Sequence, residues 1–269
     1  MIGIKSPREI ELMRKAGEIT GETLKYLATK VKPGITTKEL DKLAEDFVLK
    51  KGATPECKGF EGFPASICIS VNDEVVHGIP GPRKLKEGDI VKLDLVANYK
   101  GYQGDSAITV PVGKIDDKKK YLIEHTEKAL YKGLEAIHDG CHVGDIGYAI
   151  QKYAEEHNLG VVRELVGHGI GTQMHEDPDV PNYGARHTGP VLKEGMVIAV
   201  EPMLNLGTRR VYLLDDGWTI ITADGKPSAH FEHTVLVTKD GYEILTRRWY
   251  NGKRRCHWNR GSSYRNSPW

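Results

Sequence analysis

The 269-residue chain has no apolar stretch approaching the ~20 residues that a membrane-spanning helix requires, so no part of it is expected to cross a bilayer. Its first residues, Met1-Ile-Gly-Ile-Lys5-Ser-Pro-Arg8, hold neither an apolar leader segment nor a small-residue cleavage site. Export is therefore not expected, and the cytoplasm is the default compartment. Cysteine is scarce: Cys57, Cys68, Cys141 and Cys256 show no C-x-x-C spacing, which argues against a disulfide framework or a thiolate zinc site. Low-complexity segments are absent. Acid is missing from one end only: Arg247 to Trp269 carries seven Lys or Arg and no Asp or Glu, leaving 31 basic against 37 acidic residues in the rest. The net charge of +1 thus hides an acidic body and a basic tail.

What is present is an internal echo. Leu-Lys-Glu-Gly occurs at Leu85 to Gly88 and again at Leu192 to Gly195, and each copy leads through a short apolar run to a carboxylate, Asp94 and Glu201, at an offset of 107 residues. Upstream, Gly34 to Asp41 falls over Gly140 to Gly147 at an offset of 106, and both stretches open predicted helices. Downstream, Asp105 to Val110 resembles Glu232 to Val237, an acid heading an apolar run in each. The period is far longer than that of solenoid repeats, so the expectation is one duplicated domain of two like halves. A site on its pseudo-twofold axis would collect carboxylates from both.

Local signals agree. Ser6-Pro7-Arg8-Glu9 and Thr36-Thr-Lys-Glu39 are capping patterns that open helices running to about Lys30 and to a stop at Gly52. Asp117 to His138 and Gly144 to Asn158 repeat the pair. β-rich runs follow each pair: Ser66 to Val71, Asp89 to Tyr99, Ser106 to Val112, Val197 to Leu206, His233 to Thr238 and Tyr242 to Leu245. A helix pair followed by antiparallel strands, done twice, is an α+β arrangement.

Five side chains stand out chemically: Asp94, Asp105, His168, Glu201 and Glu232. The acids sit in or beside apolar runs, where an unpaired charge costs several kcal/mol or drives the pKa upward. Nearby Lys and Arg are scarce, Lys92 being the exception, so metal is the natural countercharge. Four carboxylates are neutralised by two divalent ions, and oxygen-rich ligation with one imidazole suits Mn, Fe, Co or Zn. Asp94 and Asp105 fit adjacent antiparallel strands joined by a turn over Asn98 to Gly104, and Glu232 is placed to bridge. His168 stands among glycines in Gly167-His168-Gly169-Ile170-Gly171, with His175 seven residues on, and His77 carries a similar local phrase. Taken singly, the acids read equally as strand-end surface groups, and each histidine as an ordinary core or surface residue.

Together these residues resemble the methionine aminopeptidases, type I branch, from Ser6 to about Thr246. Asn72 to Pro80, Gly88 to Asp94, Gly104-Asp105, Gly167 to Tyr183 and Phe231-Glu232-His233 carry the likeness. The resemblance implies a pita-bread fold of two pseudo-symmetric halves, roughly 6–113 and 114–246, in a single catalytic domain spanning 1–246. It implies that Asp94 chelates one ion, that Asp105 and Glu232 bridge, and that His168 and Glu201 complete the other. A water activated between the ions would attack the first peptide bond, with Glu201 moving the proton and His77 and His175 hydrogen-bonding the scissile amide and its intermediate. Cys57, Phe60, Phe63, Cys68, Met174 and Trp218 match the methionine pocket; Phe60 and Phe63 replace tyrosines frequent in relatives, and Met174 a phenylalanine.

The implied substrate is the N-terminus of a nascent polypeptide, the implied state a monomer, with neither DNA nor membrane as partner. Glu201 and Glu232 are too close in sequence to hold the inserted helical subdomain of the type II branch. Alternatives are an Xaa-Pro aminopeptidase of the same fold and a non-catalytic pita-bread binding protein. A two-metal phosphoesterase would want Lys or Arg beside the ions. The basic tail, 247–269, holds three of the four tryptophans and reads as a disordered extension or, alternatively, a ribosomal RNA contact.

Overall fold

The structure, a computed structural model, describes residues 2–247. The tail therefore lies, apart from Arg247, outside the described residues. In the first half come helices α1 (Pro7–Ala28) and α2 (Thr37–Lys50), then strands β1 (Thr54–Pro55), β2 (Cys68–Val71), β3 (Glu74–Val76), β4 (Ile90–Tyr99) and β5 (Tyr102–Pro111). The second half opens on α3 (Asp117–Leu134) and α4 (Val143–Glu156). Its strands are β6 (Gly160–Val161), β7 (Gly167–Gly169), β8 (Glu176–Val180), β9 (Val197–Val200), β10 (Met203–Asn205), β11 (Val211–Leu213), β12 (Ile220–Thr222), β13 (Ser228–His230), β14 (His233–Thr238) and β15 (Gly241–Ile244). No described helix is long and apolar enough to cross a membrane.

The helix starts follow from their capping chemistry. Ser6 accepts from the Glu9 amide while Glu9 Oε2 accepts from the Ser6 amide at 2.7 Å, and Thr36 and Glu39 repeat the exchange, so otherwise orphaned amides are satisfied at both N-termini. The helices end two to four residues before the sequence signals suggest. Val197 to Leu206, expected as one strand, is broken between β9 and β10 at Glu201-Pro202. The β4–β5 turn is tighter than Asn98 to Gly104: only Lys100 and Gly101, at φ 53° and 86°, lie outside the ladder, the left-handed pair that a two-residue hairpin demands.

The β4–β5 hairpin explains why a strand so apolar carries an acid. Alternation sends Val91, Leu93, Leu95 and Ala97 to the main core with α1 behind them, and Lys92, Asp94 and Val96 to the other face. Helix α1 lies close against β5: a Cβ on Gly104 would sit 2.4 Å from the Gly17 nitrogen, so only glycine permits this approach.

Duplication is visible in the hydrogen bonds. Gly34 N donates to Leu85 O and Gly140 N to Leu192 O, each at 2.8 Å, and Gly88 N donates to Val112 O as Gly195 N does to Val237 O, each at 3.0 Å. Val96 pairs with Asp105 in the first hairpin and Met203 with His230 in the second. This register corrects the downstream sequence match by two residues. His230, not Glu232, occupies the position of Asp105, and Glu232 that of Ala107. A slip of two preserves the face of a strand, which is why the mismatched alignment still turned Glu232 inward.

Across the pseudo-twofold axis the halves are stitched by equivalent threonines. Thr109 Oγ1 donates to His230 O (2.8 Å) and accepts from His230 N (2.9 Å), while Thr234 Oγ1 donates to Asp105 O (2.7 Å) and accepts from Asp105 N (2.9 Å). Glu232 N donates to Ala107 O at 3.0 Å and Ser106 Oγ to Glu232 O at 2.6 Å. The axis thus runs between Ala107 and Glu232, with Asp105 two residues to one side.

Candidate metal centre

Asp94 and Asp105 are diagonal neighbours on the inner face of the hairpin, Asp94 opposite Ala107 and Asp105 opposite Val96. The stitching brings Glu232 beside Asp105. His168 enters from β7, where its Nδ1, 2.9 Å from Gly169 O, must donate because a carbonyl only accepts. That fixes Nε2 as a bare acceptor. It lies 3.5 Å from Glu201 Oε1 and 3.8 Å from Asp105 Oδ2. Ligand atoms of Asp105, His168 and Glu232 all lie within 4.8 Å of one another. All five residues singled out in the sequence therefore converge.

Electrostatics leaves them short of positive charge. Burial pushes the Asp94 carboxyl up to about 7. Asp105, Glu201 and Glu232 are driven well above the carboxylate range, by burial first and then by a neighbouring carboxylate, Asp94 for Asp105 and Asp105 for the two glutamates. Among the described residues no Lys or Arg ion-pairs with any of them. Lys92, the sole nearby cation in sequence, is wholly buried but turned to the carbonyls of Asn72 (2.7 Å) and Ser228 (3.1 Å), tying the two halves together. Asp105 Oδ1 and Glu232 Oε1 are buried without any hydrogen-bond partner, an arrangement that costs free energy unless a cation meets them. Orphaned oxygens, a bare imidazole nitrogen and four acids fit divalent metal.

Beside the acids lies a small apolar cluster, separate from the main core. Cys57, Phe63, Ala65, Cys68, Val96 and Met174 are buried in it, with Phe60, Ile79 and Trp218 packed against it. All six residues suggested for a methionine pocket are there. Cys68 pairs with Asp94 across the β2–β4 ladder, so the pocket shares a wall with the acids. Phe63 meets Trp218 edge-on at 5.1 Å. His175 lies between the two regions, its ring 4.4 Å from that of His168 and 5.4 Å from that of Phe60. His77, on left-handed backbone at φ 58°, is held to about 4 by burial and then by His175.

Residues 11–239 match Metallopeptidase family M24. The chain is 54% identical over 247 residues to methionine aminopeptidase 1 of Bacillus subtilis, an alignment covering 92% of this chain and all of that one. The chain belongs to family M24, in its methionine aminopeptidase branch. The crystal structure of methionine aminopeptidase from Rickettsia prowazekii superposes with a TM-score of 0.91 at 46% identity, over 92% of this chain and 100% of that one. Prolidase from Pyrococcus furiosus follows at 0.73 and 26% identity, over 91% of this chain but 65% of that one. The architecture is the α+β pita-bread fold of these M24 enzymes, and its chemistry requires a divalent metal.

One residue of this M24 site escaped sequence reasoning. His230 is 1% exposed, both its ring nitrogens lack partners, and Nε2 lies 3.7 Å from Glu201 Oε2. No spacing in Ala229-His230-Phe231 marks it; only the register, which seats it at the counterpart of Asp105, does. His230→Ala is expected to lower kcat about tenfold at little change in KM, the scale on which partners of metal ligands act, with His230→Gln restoring most of it. Equal loss in both variants would contradict a positioning role.

Metal removal should show a definite pH dependence. In the metal-free protein the carboxyls carry folded pKa values above their unfolded ones. Their contribution to stability is present below about 4 and is lost as pH rises, through about 7 for Asp94 and beyond for the others. His168, held to about 4 by burial, is neutral throughout the upper part of this window. The rise in Tm on adding divalent metal is therefore expected to be larger at pH 8 than at pH 6. Thermal melts of stripped and reloaded protein check it.

Proposed function

We propose that the chain removes the N-terminal methionine from nascent proteins and peptides, using two divalent ions held by Asp94, Asp105, His168, Glu201 and Glu232. The observation that carries this reading is the joining of five ligand-type side chains from both halves to a small apolar cluster through His175. When bound, the ions would supply Lewis acidity, polarising the scissile carbonyl and bringing the pKa of water towards the neutral range. The remaining steps belong to the chain. Glu201, 14% exposed and already biased by burial towards holding a proton, takes one from the attacking water and returns it to the leaving nitrogen. His175 and His77, their pKa values lowered by burial, are neutral near pH 7 and donate N–H groups to the amide and to the charge that develops on its oxygen.

Cys57, Phe60, Phe63, Cys68, Met174 and Trp218 admit an unbranched thioether side chain and offer no countercharge to a charged one. Co, Mn, Fe and Zn all suit a ligand set of four carboxylates and one imidazole. We place the activity in the cytoplasm, in a monomer whose residues 1–246 form one catalytic domain.

Metal-reconstituted protein offered Met-Gly-Met and an Xaa-Pro peptide tests the reading. Methionine release with the Xaa-Pro peptide left intact is the expected result. Xaa-Pro cleavage would instead establish the prolidase-like alternative, and hydrolysis of neither under Mn, Fe, Co or Zn would overturn both. The phosphoesterase reading loses its support in the orientation of Lys92 towards carbonyls rather than the acids.

A further inference from the structure

A second group of ligand-type side chains lies at the start of α4 and shares no residue with the site above. His142 is the N-cap residue, Asp145 lies three residues on, and His187 comes from the loop that crosses the helix start. Asp145 Oδ2 lies 3.9 Å from His142 Nδ1, and Oδ1 lies 3.7 Å from His187 Nδ1. One atom from each of the three falls within 4.8 Å of the others. These separations are too long for hydrogen bonds and match the ~3–4 Å between two ligand atoms that each stand about 2.1 Å from one ion. The carboxylate is fixed by the amides of His142 (2.8 Å) and His187 (2.9 Å), which donate to its two oxygens and leave further lone pairs on each.

Two observations set this group apart from ordinary helix capping. The first is the duplication. Thr37 N donates to Arg83 O and Lys38 N to Gly81 O in the first half, as Val143 N donates to Pro190 O and Gly144 N to Thr188 O in the second. The counterparts of His142, Asp145 and His187 are thus Thr36, Glu39 and Pro80. Thr36 and Glu39 complete the same capping box without an imidazole, so the fold does not call for histidine at either position. The second is the backbone of His187, which sits at φ 60° with its side chain 79% exposed. A bulky residue in the left-handed region costs of order 1 kcal/mol or more, and the ring contact it makes is with His142 itself, edge-on at 6.1 Å between centroids.

We infer that His142, Asp145 and His187 bind one divalent transition-metal ion at a site distinct from the catalytic one. Two imidazole nitrogens and one carboxylate oxygen select the borderline ions Zn, Ni and Cu over Mg and Ca, with water completing the shell. The ion would clamp the loop carrying His187 onto the start of α4.

Calorimetric titration of the untagged, chelator-stripped full chain with zinc tests this. Wild-type protein is expected to take up one equivalent more than His187→Ala at free zinc below about 100 µM, an affinity well within reach of a three-ligand site. His142→Gln should lose the same equivalent. Asp105→Asn should lose zinc at the catalytic centre yet keep this one, so failure of the catalytic reading and failure of this inference remain distinguishable. With copper, the electron paramagnetic resonance spectrum of Asp105→Asn should show coupling to two imidazole nitrogens, falling to one on adding His187→Ala. Equal zinc uptake by wild type and His187→Ala, or uptake of the extra equivalent only above that concentration, would overturn the site.

Discussion

Asp105→Asn is expected to lower methionine release by about a thousandfold or more, with parallel loss of tightly held metal and little change of fold. The residue is 5% exposed, its Oδ1 has no hydrogen-bond partner, and it lies two residues from the axis where the two halves meet. Asparagine keeps the volume and keeps the backbone bonds to Thr234, so the hairpin should close as before. What is lost is one negative charge facing buried cations. Leaving a buried charge short of a partner costs about 3–5 kcal/mol, and each 1.4 kcal/mol is a factor of ten in rate. Far-ultraviolet circular dichroism, bound metal per chain and release of methionine from Met-Gly-Met check the three parts. Wild-type metal content together with wild-type kcat in the variant would remove Asp105 from the ligand set.

Gly169→Ala should damage stability and turnover together. Strand β7 lies between β8 and β9, and a Cβ at position 169 would stand 2.1 Å from the carbonyl oxygen of Asp177, backbone that cannot rotate away. Relief requires β7 to move. Overpacking of this kind costs about 1–3 kcal/mol, and β7 also carries His168, whose Nδ1 is oriented by the Gly169 carbonyl. A displacement of about 1 Å at a reacting group is worth roughly a hundredfold in rate. Gly81→Ala is the matched control, since nothing lies within 4 Å of its would-be Cβ and its φ is not in the left-handed region. A lowered urea midpoint and lowered kcat for Gly169→Ala, with neither changed for Gly81→Ala, is the expected outcome.

The parts of this architecture that could be read from the residues are those in which local chemistry and global fold agree. The capping boxes at Ser6 and Thr36 announce their helices because no other element uses those side chains, and the repeated Leu-Lys-Glu-Gly announces two halves because each copy ends on a glycine at φ near 90°. Asp94 was legible as an inward acid because β4 is long and its alternation is fixed by a two-residue turn. Short strands were not. β3, β7, β11 and β13 are three residues each, too few to show a period, and they exist only because longer neighbours pair with them. Similarity also aligned acid with acid, Asp105 with Glu232, whereas the ladder aligns Asp105 with His230. Chemistry drifted between the copies while register did not, and His230 was hidden by that drift. Phe60 and Phe63 form another case: they flank a 3₁₀ turn whose direction no periodicity encodes, so their place beside His175 and Trp218 came only from resemblance.

The proposed reaction requires metal held by both halves at once. Its most direct test is a titration of chelator-stripped protein with Mn, Co, Fe or Zn in which methionine release from Met-Gly-Met and bound metal are followed on the same sample. No release is expected from the stripped protein, with activity appearing as the centre fills and absent at every metal level in Asp105→Asn. Full release from stripped protein, or activity in Asp105→Asn that follows metal as in wild type, would contradict it.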